Sequence, residues 1–337
     1  MRFIDEFLLE HRLELGLEKY GIGNRWETVL LTPRFVTSRH VVALIFPAGS
    51  DEPRLVVKVP RQPHDNDGVR HEAAVLKGLA AAGLGSPGGV PEVLAVKDVG
   101  AHTVLVETAL TGAPLDPRLV AADLDGAVRA GARFVAALPS TRPAPANAGW
   151  YEQAIRKPLH ALTSLVPAEP GLQALVQRTH EVLAPLASVP MPAVVEHGDL
   201  SHPNLFLKPD GRLQVVDWER SRTQGVPGHD LVFYLQYLSE SNEQAFLREN
   251  QVTAFDKAFG AGGWALAPLT RHLELRRVDT ALLPLLVIAA WARSAATLSY
   301  RLAGQAAGAE GSKGILDAVT ADRDFWLWRH VVTTWAA

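Results

Sequence analysis

The chain has 337 residues, a formal charge of −3 and no cysteine. Its length exceeds one simple core and suits two lobes, and the small negative charge supplies no basic field for nucleic acid. Disulfides, thiolate metal sites and a cysteine nucleophile are all excluded.

The opening segment carries Asp5, Glu6 and Glu10 among apolar residues and reads as an amphipathic helix, not a signal peptide. Residues 28–32, 41–46 and 54–59 are rich in Val, Leu and Ile, are punctuated by Pro or Gly, and read as strands. A helix follows over residues 69–82, with Val69, Ala73, Leu76 and Ala80 on one face. Residues 93–96 and 103–108 complete a small antiparallel sheet. Residues 1–110 are therefore expected to form a strand-rich lobe with one helix.

Beyond Gly112 the composition changes. An Ala-rich helix spans 123–138 and ends in the Pro-rich loop 139–147; another helix is expected over 171–187. A β-like island over 193–217 carries a hairpin turned at Pro209, Asp210 and Gly211. The pattern after Asp230 is helical. The strongest apolar run, 281–292, ends at Arg293 and falls short of the ~20 residues of a membrane span, so a buried core helix is expected. Trp264, Trp291, Trp326, Trp328 and Trp335 recur at helical spacing and are expected in the core. A soluble, cytoplasmic protein without membrane or nucleic-acid partners is the resulting expectation.

The island holds the chemistry. Phosphoryl transfer needs a carboxylate to orient the attacking hydroxyl and oxygen ligands to hold Mg²⁺ against the β- and γ-phosphates. Asp199 supplies the first; Asn204, five residues on, and Asp217, thirteen further, supply the second. His197, Gly198, Asp199 and Asn204, followed by Val216, Asp217, Trp218 and Glu219, resemble the aminoglycoside phosphotransferase and choline kinase superfamily, relatives of protein kinases. That superfamily carries a His-Gly-Asp-x-x-x-x-Asn loop and an (Ile/Val)-Asp-(Phe/Trp)-Glu strand. The match runs from about Thr28 to Leu235.

The resemblance implies an α+β, bilobal protein-kinase-like fold: a nucleotide-binding lobe over 1–110 and a larger, mainly helical lobe over 111–337 carrying the catalytic loop 195–219. It implies ATP and Mg²⁺ between the lobes, Asp199 as the base, and Asn204 and Asp217 on the metal. Lys58, a lysine inside an otherwise apolar strand, would anchor phosphate and pair with Glu72 on the following helix. Backbone groups near Glu107–Leu110 would meet the adenine edge as the hinge. The loop 32–40 contains no glycine, so Thr37 and Ser38, helped by Arg34 or Arg39, would cover the phosphates. His197 is expected to orient the catalytic loop, and Asp230 to brace it. Ser201 and His202 lie between base and metal ligand, near the transferring phosphoryl. Glu219 is open to a second metal, the acceptor or an arginine partner.

The acceptor would be a small-molecule hydroxyl on an antibiotic, sugar or amino alcohol. A cationic aminoglycoside would call on Glu240, Glu243 and Glu249. The alternative acceptor is Ser or Thr of a precursor peptide in natural-product (lanthipeptide-type) biosynthesis, and a catalytically silent nucleotide-binding protein is the third reading.

Overall fold

The computed structural model describes residues 2–31, 39–85, 88–141, 147–166, 169–303 and 312–335. In chain order the strands are β1 (Trp26–Leu31), β2 (His40–Pro47), β3 (Leu55–Pro60), β4 (Val93–Val99), β5 (His102–Thr108), β6 (Ala113–Pro114), β7 (Val194–Glu196), β8 (Leu205–Leu207), β9 (Leu213–Val215) and β10 (Arg222–Gly225). The helices begin with α1 (Arg2–Glu10), α2 (Arg12–Leu15), α3 (Asp67–Ala81), α4 (Pro117–Ala122), α5 (Leu124–Ala137), α6 (Lys157–Leu165) and α7 (Pro170–Leu183). They continue with α8 (His229–Asn242), α9 (Arg248–Phe259), α10 (Leu266–Leu275), α11 (Leu283–Ala303), α12 (Ser312–Ala321) and α13 (Arg323–Thr334).

Contacts divide the chain into two units, Met1–Leu115 with Pro203–Ser221, and Asp116–His202 with Arg222–Ala337. This differs from a single break at residue 110 and cuts the expected catalytic segment 195–219 in two. The hairpin β8–β9 belongs with the first unit because β8 pairs with β6, and the turn at Trp218–Arg220 packs on α3.

In the first unit, five antiparallel strands lie in the order β1-β2-β3-β5-β4. Side chains alternate across a pleated strand, so each strand presents two sets of residues. Val57 and Val59 of β3, with Val104 and Val106 of β5, join Ile4, Phe7 and Leu8 of α1 in one core. The alternate set faces α3, where Leu105 packs on Val69 and Ala73. Lys58 stands opposite Leu105, and Val56 opposite Glu107, so Lys58 and Glu107 share that second face. Glu72 sits on the buried stripe of α3, three residues after Val69 and four before Leu76.

In the second unit the helices carry almost all of the fold. Helix α7 stops at Leu183, and a short tight turn over Ala184–Ser188 replaces its expected last residues. Pro185 has no N–H with which to continue the α ladder. Tyr234 on α8 lies against Gly131 of α5 and donates its hydroxyl to the Ala127 carbonyl at 2.7 Å. The segment Thr280–Ser299, with mean hydropathy 1.7, is long and apolar enough to cross a membrane by length and composition. The expectation that it is too short is therefore corrected. Its Val287, Ile288, Trp291, Ala292, Ala295 and Ala296 are buried, and α11 packs on α6 and α13 within the unit. Trp291 and Trp328 are core residues as expected, whereas Trp264, Trp326 and Trp335 are half-buried.

A Cβ at residue 131 would overlap the Tyr234 ring. Gly131→Ala is expected to cost about 1–3 kcal/mol of stability, read from denaturant unfolding of the purified variant.

Candidate functional site

The first unit gathers most of the expected nucleotide and metal residues. Lys58 Nζ lies 2.6 Å from Glu72 Oε1 and 3.3 Å from Glu107 Oε1, and all three side chains are buried. Glu72 Oε1 also accepts the Trp218 backbone N–H at 2.9 Å. Burial works against the Lys58 ammonium, but Glu107, Glu72 and Asp217 outweigh it and hold the group well above the ordinary lysine range. Two carboxylates share this one cation. Burial therefore pushes the Glu107 carboxyl up to about 7, with the Glu72 charge assisting and the Lys58 charge opposing.

The residues expected as oxygen ligands come from one hairpin. Leu205 pairs with Val215 across β8 and β9. One step further, the Val216 N–H donates to the Asn204 carbonyl at 3.0 Å. Asn204 and Asp217 thus end the two strands side by side. Asp217 adopts φ +69°, a left-handed backbone, as the chain leaves β9 for the turn at Trp218–Arg220. An amide and a carboxylate are hard oxygen donors, and two of them suit Mg²⁺ completed by phosphate oxygens and water. Among the described residues no group of three or more His, Cys, Asp or Glu is placed to hold a metal alone. Glu219 is engaged by His40, Nδ1 to Oε2 at 3.1 Å. Burial works against its carboxylate, yet His40, Arg220 and Lys58 hold it below the ordinary range.

The second unit holds the expected base and its supports. After β7 the chain turns through Gly198 at φ +81°, which glycine enters without a Cβ penalty. Asp230, at the first turn of α8, accepts the His197 N–H at 2.6 Å and the Gly198 N–H at 2.9 Å. His197 is fully buried, and its Nδ1 accepts the Asp199 N–H at 3.2 Å, an orienting bond within the loop. Beneath the loop, both Glu196 oxygens receive Arg293 of α11, at 2.9 and 2.8 Å, and Glu196 Oε1 accepts the Val226 N–H at 2.6 Å. Burial first, then the Glu196 charge, push the Asp230 carboxyl up to about 6 against the bonds it receives. Ser201 Oγ is 3.5 Å from Asp199 Oδ1, and His202 is half-buried.

Other expected groups lie elsewhere. Arg34, Thr37 and Ser38 fall outside the described residues. Arg39 is turned to Asp65 on the surface at 2.7 Å. The hinge expectation is narrowed: the Thr108 N–H donates to Glu92 O and the Ala109 N–H to Arg54 O, both at 2.9 Å, and the Glu107 side chain is buried on Lys58. Of that stretch, Leu110 is the residue those two bonds leave for an adenine edge. Two of the three acids considered for a cationic acceptor are committed. Glu240 binds Arg323 and Gln236, and Glu243 binds Lys257. A cavity of about 500 Å³ in the second unit is lined by Tyr151, Glu152, Arg156, Lys157, His160 and His180.

Sequence reasoning missed the Glu107 carboxylate, the Glu196–Arg293 pair and the His40–Glu219 pair. Period-2 alternation along β5 was the available signal for Glu107; no local signal marked the other two.

A model of the phosphotransferase enzyme family matches residues 40–269. No curated protein matches the chain. Among solved structures, a thermostable mutant of aminoglycoside phosphotransferase APH(4)-Ia, in ternary complex with ADP and hygromycin B, aligns with TM-score 0.57 at 16% identity over 96% of this chain and 98% of that one. A choline/ethanolamine kinase family protein from Mesorhizobium loti aligns with TM-score 0.51 at 18% identity over 94% of this chain and 99% of that one. At these identities the likeness establishes the fold, the α+β kinase-like one with a small sheet-bearing lobe and a mainly helical remainder.

Asp230 serves two N–H donors with two acceptor oxygens, which an asparagine cannot do. Asp230→Asn is expected to lower kcat by roughly 10- to 100-fold, the kinetic equivalent of a lost charged bond worth about 1.5–3 kcal/mol. Nucleotide affinity measured by calorimetry should stay unchanged; an equal fall in both would show general unfolding instead.

Proposed function

The chain belongs to the phosphotransferase enzyme family, and from that premise we propose that it transfers the γ-phosphoryl group of Mg²⁺-bound ATP to an alcohol hydroxyl of a small molecule. The observation that carries this reading is the Lys58–Glu72–Trp218 connection: a buried ammonium held by a carboxylate that also fixes the backbone beside Asp217. Relatives in fold hold ADP with hygromycin B and AMP-PNP with hygromycin B, which supports an adenine nucleotide as the donor.

Lys58, kept charged by its neighbours, meets the phosphates as a point charge. Asn204 and Asp217 would hold the metal, and Mg²⁺, when bound, neutralises charge on the β- and γ-phosphates. Leu110 offers backbone to the base, and Thr37 and Ser38 are assigned to the phosphates. Asp199 orients the acceptor hydroxyl. As the acceptor oxygen bonds to the γ-phosphorus, the bond from that phosphorus to the bridging oxygen breaks and its electrons leave with ADP. The hydroxyl proton passes to the Asp199 carboxylate late in the step. His197 and Asp230 act on Asp199 through the loop backbone. The commitment of Glu240 and Glu243 to Arg323 and Lys257 favours an acceptor of low positive charge, such as a sugar or other neutral alcohol, over an aminoglycoside.

ATP consumption across sugars, amino alcohols, antibiotics and Ser/Thr peptides tests the reading. Turnover of a small alcohol is expected, with Asp199→Ala lowering kcat by about 100-fold or more while nucleotide binding persists. Equal activity of that variant would overturn the assignment, and turnover of peptides alone would replace the acceptor class. Asp217→Asn should weaken the Mg²⁺ dependence of nucleotide binding, read in a titration with and without the metal.

A further inference from the structure

Lys58 Nζ has three hydrogens to give. One goes to Glu72 at 2.6 Å and another is directed to Glu107 at 3.3 Å. The two acids are not equivalent. Glu72 Oε1 is held a second time, by the Trp218 N–H at 2.9 Å. Oε2 of each acid is buried without a hydrogen-bond partner, but Glu107, on a side chain only 2% exposed, meets Lys58 at the longer distance and receives no such backbone bond. The charged groups acting on Glu107 are Lys58 from β3, Glu72 from α3 and Asp217 beyond β9. Glu107, Glu72 and Asp217 make three carboxylates to the single ammonium, so the cluster is net anionic when all are ionised.

A triphosphate brought to such a cluster meets repulsion, and its anchoring cation is already shared. Neutralising one acid removes both obstacles, and Glu107 is the one of the lysine's two partners that lies further from it and lacks a backbone donor. Resting on the nucleotide role of Lys58 given above, we propose that Glu107 is a positioning residue that competes with the nucleotide phosphates for Lys58, and that nucleotide binding takes up one proton from solvent onto Glu107. The protonated carboxyl surrenders its share of the ammonium to phosphate and keeps Lys58 in place by its remaining bond to Glu72.

The test is calorimetric titration of AMP-PNP with Mg²⁺ into the wild-type protein and Glu107→Gln, at pH 6 and pH 8, in two buffers of different ionisation heat. A carboxyl near 7 is mostly ionised at pH 8. Wild-type affinity should therefore fall about tenfold more than that of the variant between the two pH values. The wild type should take up a proton at pH 8 where the variant takes up none, and the variant should bind more tightly there. A merely structural glutamate would move neither the proton count nor the pH profile. Equal pH dependence and equal proton uptake in the two proteins, or weaker binding by the variant at pH 8, would overturn the proposal.

Thermal unfolding without nucleotide gives the independent reading. The folded carboxyl lies above its unfolded value of 4.5, so the native state holds the extra proton and the wild type loses stability relative to Glu107→Gln as pH rises from 4.5 to about 7. Should the amide variant fail to fold, Glu107→Met replaces it with the same expectations. Wild-type protein that shows this stability profile but binds no nucleotide would overturn the proposed function and this inference with it. Nucleotide binding without proton linkage would overturn this inference alone.

Discussion

An ammonium group taken out of water costs several kcal/mol unless carboxylates meet it, and Lys58 is buried to 7% side-chain exposure in the middle strand of a five-stranded sheet. The first unit is arranged around meeting that requirement. Helix α3 must dock with Glu72 inward, and Val69 and Ala73 secure the docking by packing on Leu105. The same Glu72 oxygen then fixes the Trp218 N–H. Three stretches of chain, around residues 58, 72 and 218, are tied at one carboxylate. Deleting it would strand a buried cation and release the backbone next to Asp217 together.

The second unit solves the reverse problem. There the groups needing partners are backbone N–H donors in a turn too tight for a ladder. Asp230 accepts two of them, and His197 accepts the one on Asp199. Glu196 and Arg293 fix the strand that enters this turn, with Gly225 leaving room for the glutamate side chain. Burial of Glu196 with Arg293 couples the loop to α11, an apolar helix, so the turn carrying Asp199 stands on the core of its own unit.

How much of this was legible follows from the range of each interaction. Lys58, Glu72, Asp199, Asn204 and Asp217 stood out because residue type and spacing along short segments carry their signal. The strands and α3 followed from alternation and period, and the structure moves their ends by one to three residues. Arg293 was read as a charge ending an apolar run; its partner lies 97 positions away, and nothing in either segment names the other. His40 and Glu219 are equally remote in sequence. Glu107 was read for its backbone alone, although the alternation that buries Leu105 places it on the lysine's face. The contact division differs from a break at residue 110 for a related reason: pairing between residues 113 and 207 leaves no local trace.

The left-handed backbone at Asp217 constrains how the gene can drift. Glycine, asparagine and aspartate enter that region readily, whereas β-branched and bulky residues are strained there. Of the tolerated three, only two carry a side-chain oxygen. Replacement at this codon is thereby narrowed by chain geometry before any side-chain chemistry is counted. Libraries built by random replacement would lose β-branched residues here first, even where catalysis is not selected.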